Sequence, residues 1–323
     1  MNNLKKIGMT ALAASLVSTS VFAGELTVSG AASITYENYS TKELGIAGNK
    51  TFSQGNEIKF NGGGELDNGM TVALAFDLDA GSTDSGNALW DNHSVTLSSD
   101  AMGTIVFAGH GGSSAQSALD TTAAGDIFDN FDDTAGVAAT STFRSSKAGN
   151  NNLKYTLPTM VDGVSAAISY QPGGNASAGA GSSTAYGITY TGVEGLTVSY
   201  GYGEDNTTST IESEVTTMSA SYAYGPVTVA VSESENDEKT NTDQTLKSVA
   251  VSYTISDNLS VKYGEETLET PAWVSDAEYT SISVAYTSGG MTISAGTQSA
   301  EHAEGAVADK DVDYNYLGLS FAF

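Results

Sequence analysis

Carboxylates are the most concentrated reactive groups in this 323-residue chain, and one group of them is interleaved with apolar residues. Four aspartates share that stretch: Asp126, Asp129, Asp132 and Asp133. Clustered carboxylate oxygens suit Ca²⁺, although this spacing matches no EF-hand loop. The alternative is that they are ordinary charges, solvated in a loop or lining a water-filled interior. Ile127, Phe128 and Phe131 lie between them, and we expect these three side chains to pack against another part of the protein.

Residues suited to catalysis are scarce. The chain has no cysteine, which excludes disulfides, thiolate nucleophiles and Cys-metal sites. Its three histidines, His93, His110 and His302, follow neither a Ser-His-Asp pattern nor a metal-ligand spacing. The sequence therefore predicts that the protein is not an enzyme and has no cofactor, with Ca²⁺ at the four aspartates as the alternative.

Apolar and small or polar side chains alternate along nearly all of the chain after residue 24. Val249, Val251 and Tyr253, for example, are separated by Ala250 and Ser252. This period of two is typical of strands with one apolar face, and no comparable helical pattern is present. The sequence therefore predicts an all-β fold whose strands separate an apolar from a polar environment.

Short turns set the number of strands. Seven Asp-, Asn- or Gly-containing turns each precede a new alternating run, at 67–69, 100–103, 161–163, 192–195, 224–226, 256–258 and 288–290. Successive turns are about 32 residues apart, the length of two strands of ~10 residues with one short and one longer connection. Seven hairpins with a first strand at 25–37 and a last strand at 311–323 predict sixteen strands. An even number is what a transmembrane antiparallel β-barrel requires.

One interval between turns is about 60 residues long and breaks this rhythm. It leaves residues 110–151 without sustained alternation, and long irregular loops are usually functional or disordered. The loop contains the aspartate and phenylalanine stretch described above. A sixteen-stranded barrel has a wide, wet interior. We therefore expect this loop to fold inward and to narrow the interior.

The two ends of the chain agree with export to a membrane. Residues 1–23 combine Lys5 and Lys6 with a short apolar run and a small-x-small site, which predicts a signal peptide cleaved before Gly24. The barrel domain would then be residues 24–323. At the other end, Leu317, Leu319 and Phe321 share one face of an extended strand that finishes on Phe323. This pattern resembles the C-terminal assembly signal of bacterial outer-membrane barrels.

The charge balance is strongly acidic. The chain has 38 acidic and 12 basic residues, and two of the basic ones precede the cleavage site, so the mature charge is about −28. Such a charge repels nucleic acid, which we exclude as a partner. If part of the excess lines an aqueous passage, the passage enriches cations and repels anions.

Taken together, these features resemble the general porins of Gram-negative bacteria, of the alphaproteobacterial type. The resemblance is carried by the signal running into 24–30, the long loop after the fifth strand, the stretch 143–163 and terminal Phe323. It implies a homotrimeric outer-membrane barrel that lets ions and small hydrophilic solutes diffuse through a water-filled channel. It also implies contact with membrane lipids and lipopolysaccharide, an inward third extracellular loop, and recognition of Phe323 by the barrel-assembly machinery.

The family usually sets an acidic loop against a wall of Arg and Lys, and this chain offers few candidates for that wall. Lys59, Lys154 and Lys262 take the polar, lumen-facing phase of the second, sixth and thirteenth predicted strands. At ~3.4 Å per residue and ~40° tilt they lie on the order of 13–21 Å above the periplasmic rim. With Arg144 they form the predicted basic side of the constriction. The acidic side is the aspartate group at positions 126, 129, 132 and 133.

Tyrosines near strand ends fit the two headgroup interfaces of a membrane. The expected set is Tyr36, Tyr39, Tyr155, Tyr170, Tyr190, Tyr200, Tyr202, Tyr222, Tyr253, Tyr263, Tyr286 and Tyr314. Tyr279 takes the lumen phase, and a single ring makes no aromatic track for sugars.

A substrate-specific channel and a structural or adhesive surface β-protein remain the alternative functions.

Overall fold

The structure is a computed structural model, and it describes residues 26–41, 50–79, 92–131, 143, 146, 150–173, 181–208, 211–239, 243–271, 273–303 and 311–323. The predicted signal peptide lies outside the described residues. No helix in the described part of the chain has the length and apolarity needed to cross a bilayer.

Sixteen antiparallel strands close into one barrel, as the turn spacing predicted. They are β1 Thr27–Thr41, β2 Lys50–Glu65, β3 Thr71–Asp79, β4 His93–Ser99, β5 Gly103–His110, β6 Asn152–Thr156, β7 Val164–Gln171, β8 Ser183–Tyr190, β9 Leu196–Thr208, β10 Ile211–Tyr224, β11 Val227–Glu238, β12 Gln244–Ser256, β13 Leu259–Glu269, β14 Ala277–Ser288, β15 Met291–Glu301 and β16 Val312–Ala322. Each strand pairs with its neighbours in sequence, and β1 pairs with β16.

The last residue is part of the closure. Phe323 N donates to Gly30 O at 2.9 Å, and Gly30 N donates to Phe323 O at 2.8 Å. The β1–β16 register continues from Ala31 opposite Ala322 to Thr41 opposite Val312. Since every strand has a paired neighbour on each side, the closed sheet leaves no open edge along its length.

The seven short turns lie at one end of the barrel, called here the short-turn end; the other is the loop end. Gly163 (φ 74°) and Gly195 (φ 77°) show why glycine recurs in these turns, since other residues rarely adopt such backbone angles. A side chain on Gly163 would also collide with the backbone of Gly192, 2.5 Å from its Cβ position.

The two faces of the wall have different chemistry. The outer face exposes large apolar side chains, among them Leu74, Val251 and Ile282. The inner face carries serines, glycines and alanines, and the main hydrophobic core also lies inside the barrel. This arrangement inverts that of a soluble protein and matches a barrel with oil outside and water inside.

The wall is not equally tall all round. Strands β3–β8 are five to nine residues long, whereas the other strands have eleven to sixteen. The long predicted loop leaves this low side after β5 and returns at β6. It therefore enters the barrel from the low side and reaches toward the tall side.

Candidate functional site: a loop packed inside the barrel

Residues 111–131, called here the inner segment, run along the inner wall. Three of their backbone N–H groups donate to wall serines: Ala115 to Ser169 Oγ at 2.8 Å, Ala123 to Ser232 Oγ at 2.9 Å and Ala124 to Ser248 Oγ at 2.9 Å. These serines belong to β7, β11 and β12. The inner segment thus crosses the interior while its buried donors are satisfied by side chains of the wall.

Glycines of the wall make room for this close approach. A Cβ at Gly264 on β13 would lie 2.6 Å from Ala124 Cβ, and one at Gly201 on β9 would lie 3.2 Å from Gln116 Cα. Gly187 on β8 faces Ala115 in the same way. We call Gly187, Gly201 and Gly264, with Ser169, Ser232 and Ser248, the loop bed. Only small residues leave space for a second backbone on the wall.

The apolar residues of the inner segment form a core against the wall. Ile127, Phe128 and Phe131 are fully or nearly fully buried in a short 3₁₀ helix, which confirms that they pack against another part of the protein. Phe131 meets Tyr279 of β14 with ring centroids 5.7 Å apart. Phe143, from the returning part of the loop, joins the same core. Burying side chains of this size stabilises the inward position by roughly 1.5–3 kcal/mol each.

A buried carboxylate on the wall holds the end of the inner segment. Glu266 of β13 is 2% exposed. Its Oε2 accepts from Phe128 N at 3.0 Å, and its Oε1 accepts from the Thr122 hydroxyl. Thr122 and Asp126 are also bonded to each other, Thr122 N to Asp126 Oδ1 at 2.9 Å and Asp126 N to Thr122 Oγ1 at 2.7 Å. Glu266 therefore fixes a tight turn at Thr122–Asp126, a role that no pattern in the sequence indicates.

The three lysines lie on the inner face of the predicted strands, but in different surroundings. Lys59 on β2 is paired with Glu57 at 2.8 Å and lies 3.9 Å from Asp77. Lys154 on β6 is partly buried beside Ser169, where the inner segment begins. Lys262 lies under the inner segment. Its Nζ is 3.3 Å from the position that a Cβ atom on Gly125 would occupy. The structure thus brings Lys262, not Lys59, next to the aspartate stretch.

The acidic side is only partly described. Asp126 is partly buried with φ 55° and serves the turn with Thr122, whereas Asp129 is exposed. Asp132, Asp133 and Arg144 lie outside the described residues. Within the described ranges, no group of three or more His, Asp or Glu side chains could hold a metal ion.

Two tyrosines expected at the membrane interfaces face the interior instead. Tyr39 donates to Asn130 O of the inner segment at 3.3 Å, and Tyr314 belongs to the inner core. That expectation was wrong for both. Tyr314 lies an odd number of residues from Leu317 and Leu319, which face the lipid. Strict alternation along the strand therefore already places Tyr314 on the opposite, inner face. Tyr316 lies on the same face, and with Tyr279 the interior therefore holds four tyrosine rings rather than one.

A closed barrel with an apolar exterior and an interior narrowed by a packed loop defines an outer-membrane channel. The chain belongs to the Gram-negative porin family, whose sequence model matches residues 8–323. No curated protein sequence matches the chain. The family consists of channels, not enzymes, that use no cofactor and lie in the outer membrane of Gram-negative bacteria.

Solved porin structures have the same fold. An anion-selective porin from Comamonas acidovorans is similar with TM-score 0.72 and 15% identity, over 93% of this chain and 100% of that chain. A triple mutant of the Rhodopseudomonas blastica porin is similar with TM-score 0.65 and 15% identity, over 93% of this chain and 100% of that chain. A loop-deletion mutant of OmpT, an outer membrane protein of Vibrio cholerae, gives 0.65 and 16% over 92% and 99%. At these identities the likeness establishes the fold alone.

Proposed function

We propose that the protein lets ions and small hydrophilic solutes diffuse passively through the outer membrane, with a preference for cations. The supporting observation is the charge of the inner wall and inner segment. Partly or fully exposed carboxylates belong to both, among them Glu37, Glu57, Asp77, Asp120, Asp126 and Asp129. The inner-facing lysines of the described strands are Lys59, Lys154 and Lys262. An acidic passage with few compensating cations concentrates cations and repels anions.

The preference rests on these inner residues rather than on the whole-chain charge. Much of the acidic excess lies on the outer face of the tall strands near the loop end, at Glu204, Glu214, Glu233, Glu235, Asp237, Glu265, Glu269 and Glu278. Those carboxylates stand outside the passage, where salt screens their effect on ions within it. The Comamonas porin is described as anion-selective, and the shared fold transfers no selectivity to this chain.

A salt gradient across a planar bilayer tests the proposal. With purified protein and KCl on both sides, the reversal potential should have the sign of potassium preference. Asp77→Asn should reduce that preference, whereas Glu235→Gln, the same loss of charge on the outer face, should leave it unchanged. A reversal potential that shows chloride preference in the wild type would overturn the proposal.

We also propose that residues 1–23 are removed before assembly and that residues 24–323 form the barrel domain, with 110–151 as its constriction loop. The sequence of the first residues supports the cleavage, and the packing of the inner segment supports the loop. Mass spectrometry of protein extracted from the outer membrane should give a chain that begins at Gly24. A mass that includes the first 23 residues would contradict the cleavage.

The distribution of aromatic residues on the outer face supports a homotrimer. Outward phenylalanines occur on β2, β3, β5 and β16, at Phe52, Phe60, Phe76, Phe107, Phe321 and Phe323. On β6–β14 the outward aromatic residues are tyrosines, for example Tyr186, Tyr222 and Tyr263. We call these the phenylalanine face and the tyrosine face. Tyrosine hydroxyls suit the boundary with water, lipid and lipopolysaccharide, whereas phenylalanine suits a fully apolar contact.

Charge distinguishes the β1–β5 part of the phenylalanine face from the tyrosine face. Among the described strands, β1–β5 carry no outward carboxylate, while the acidic residues of the outer face lie on β9–β16. Two copies meeting at the tyrosine face would therefore repel each other near the loop end. Phe52→Glu should dissociate the assembly in native mass spectrometry, whereas Met218→Glu on the tyrosine face should not. Equal behaviour of the two variants would contradict this interface.

Finally, we propose that the barrel-assembly machinery recognises Phe323. Its backbone bonds to Gly30 at the closing seam support this, because the last strand is needed to complete the barrel. Phe323→Ser should slow the appearance of heat-resistant barrel in the membrane, whereas Phe107→Ser should not. Equal assembly rates for Phe323→Ser and the wild type would exclude such a role.

A further inference from the structure

The outgoing and returning parts of the long loop both contact strand β9. Gly201 and Gly203 are consecutive inner-facing positions of that strand. A Cβ at Gly201 would lie 3.2 Å from Gln116 Cα of the inner segment. A Cβ at Gly203 would lie 2.6 Å from Ser146 Cβ, which belongs to the returning part. Since β9 runs from the short-turn end to the loop end, the returning part lies on the loop-end side of the inner segment, about 7 Å further along the strand.

One buried side chain joins these two parts of the loop to the wall. Gln116 is 0% exposed. Its Nε2 donates to Thr217 Oγ1 of β10 at 2.7 Å, and its Oε1 accepts from Ser146 N at 3.0 Å. Thr217 is directly opposite Gly201 in the register, so the Gln116 side chain reaches from one strand to the next. A buried amide needs a partner at each of its two ends, and here both ends have one.

Hydroxyl groups extend this junction in both directions. Ser114 Oγ and Ser146 Oγ share a hydrogen bond of 2.6 Å, which links the outgoing and returning parts a second time. Thr217 Oγ1 is 2.9 Å from Ser234 Oγ of β11, which extends the network into the wall. Each of these hydroxyl-bearing residues is at most 3% exposed. We call Ser114, Gln116, Ser146 and Thr217 the latch.

The latch holds the loop by other means than its far end does. At the far end of the inner segment, the apolar core and Glu266 fix the chain. Residues 111–118 contain only glycine, serine, alanine and Gln116, so hydrogen bonds have to hold this end. The returning part is attached to the core through Phe143 and to the latch through Ser146. Its position near β9 therefore depends on the partners of Ser146.

The surroundings of Ser146 determine where the returning part goes if the latch is lost. The wall lies on one side of Ser146, and the inner segment lies on the side toward the short turns. Phe143 in the core and the start of β6 at Asn152 still tether the chain. A released returning part therefore moves into the lumen or across its loop-end mouth, and either movement narrows the passage.

We propose that Gln116 is a positioning residue that keeps the returning part against the wall and thereby sets the largest neutral solute that the passage admits. Without the amide, the buried Ser146 N–H and the Thr217 hydroxyl lose a partner. An unsatisfied buried group shifts the ratio of held to released arrangement by about tenfold. This inference rests on the proposed function, because it concerns solutes that diffuse through the channel.

Uptake of neutral sugars by proteoliposomes tests the role of Gln116, since the charge of the passage does not affect them. The measured quantity is the rate for raffinose, a trisaccharide, relative to arabinose, a five-carbon sugar. Gln116→Met keeps the length of the side chain but removes both hydrogen-bonding ends, and it should lower this ratio. In single-channel recordings the same variant should spend about tenfold more time at reduced conductance. Gln54→Met, an exposed outer-face position of β2, should match the wild type in both measurements.

A disulfide that replaces the amide separates positioning from general stability. Ser114→Cys and Ser146→Cys, added to Gln116→Met, put two sulfur atoms where oxygens are 2.6 Å apart, and we expect them to join. Oxidation should restore the wild-type sugar ratio, and reduction should remove it again. A merely structural role would lower the heat stability of the barrel and leave the ratio of the two sugars unchanged.

An unchanged or raised ratio in Gln116→Met would overturn the proposal, and so would a low ratio that persists in the oxidised variant. Should Gln116→Met fail to assemble, Thr217→Val decides, because it removes the wall partner of the amide and should also lower the ratio. Its control is Thr280→Val, which removes a similar Thr–Ser pair of 2.7 Å on the outer face. A wild type that admits neither sugar would refute the proposed function itself. A wild type that admits arabinose and has the same ratio as Gln116→Met would refute the latch alone.

Discussion

The inner wall has two halves that do different work. From β7 to β14 it carries the loop bed, where serine hydroxyls, glycines and a buried apolar core receive the inner segment. The apolar core continues onto β15 and β16, while the half from β1 to β6, called here the charged half, carries Glu37, Glu57, Lys59 and Asp77 and touches the inner segment through Tyr39. From this difference we expect the first half to position the inner segment and the charged half to meet the solutes. Changes in the two halves should therefore alter different properties.

The largest effect is expected from filling the loop bed. Gly264→Val places a branched side chain where a Cβ alone would be 2.6 Å from Ala124 Cβ. Overpacking of this kind typically costs about 1–3 kcal/mol, and here it should displace the inner segment from the wall. We expect lower heat stability of the barrel and a larger, noisier single-channel conductance.

Gly62→Val provides the matched control. Gly62 is on the outer phase of β2, and the nearest atom to its Cβ position is Leu26 Cδ1 at an ordinary 3.6 Å. This variant should keep the conductance of the wild type. If Gly264→Val also conducts like the wild type, the inner segment does not lie where the structure has it.

The next largest effect concerns the buried carboxylate. Glu266→Gln removes the charge that receives Phe128 N and the Thr122 hydroxyl, and its amide has only one acceptor oxygen. One buried donor loses its partner, which costs about 1–3 kcal/mol. Channel recordings should show frequent flickering between conductance levels, as the end of the inner segment moves.

Glu265→Gln is the control for that change, since Glu265 is the adjacent residue and is exposed on the outer face. It should produce a steady conductance. Flickering of equal frequency in both variants would mean that Glu266 does not hold the inner segment.

The sequence specified the wall more fully than the site. Alternation gives the phase of Lys59, Lys154 and Lys262 correctly, because each side chain's face depends only on its own strand. The path of the inner segment depends instead on contacts between residues far apart in the chain, such as Phe128 with Glu266. No local pattern encodes those contacts. The glycine at 264 within an alternating strand was the available signal for a close backbone approach.

The smallest effect is expected from single charges in the charged half. Lys59 is largely neutralised by Glu57 and Asp77, so Lys59→Met should strengthen the potassium preference only slightly. Lys247→Met removes a lysine from the outer face, where it is paired with Glu269 at 2.5 Å, and should leave the preference unchanged. Reversal potentials in a KCl gradient compare the two. A larger shift for Lys247→Met would contradict the assignment of inner and outer faces.

The central claim is that the inner segment rests permanently on the wall of β7–β14. The chain has no cysteine of its own, so a pair introduced by Ala123→Cys and Ser232→Cys can be followed without background. Ala123 N donates to Ser232 Oγ at 2.9 Å, so the two residues are in direct contact and form a pair at which we expect a disulfide to be able to close. Single-channel conductance of this double variant, measured oxidised and reduced, is the direct test. We predict ready disulfide formation and the same conductance in both states; failure to form the bond, or a channel that closes or widens when it forms, would contradict the account.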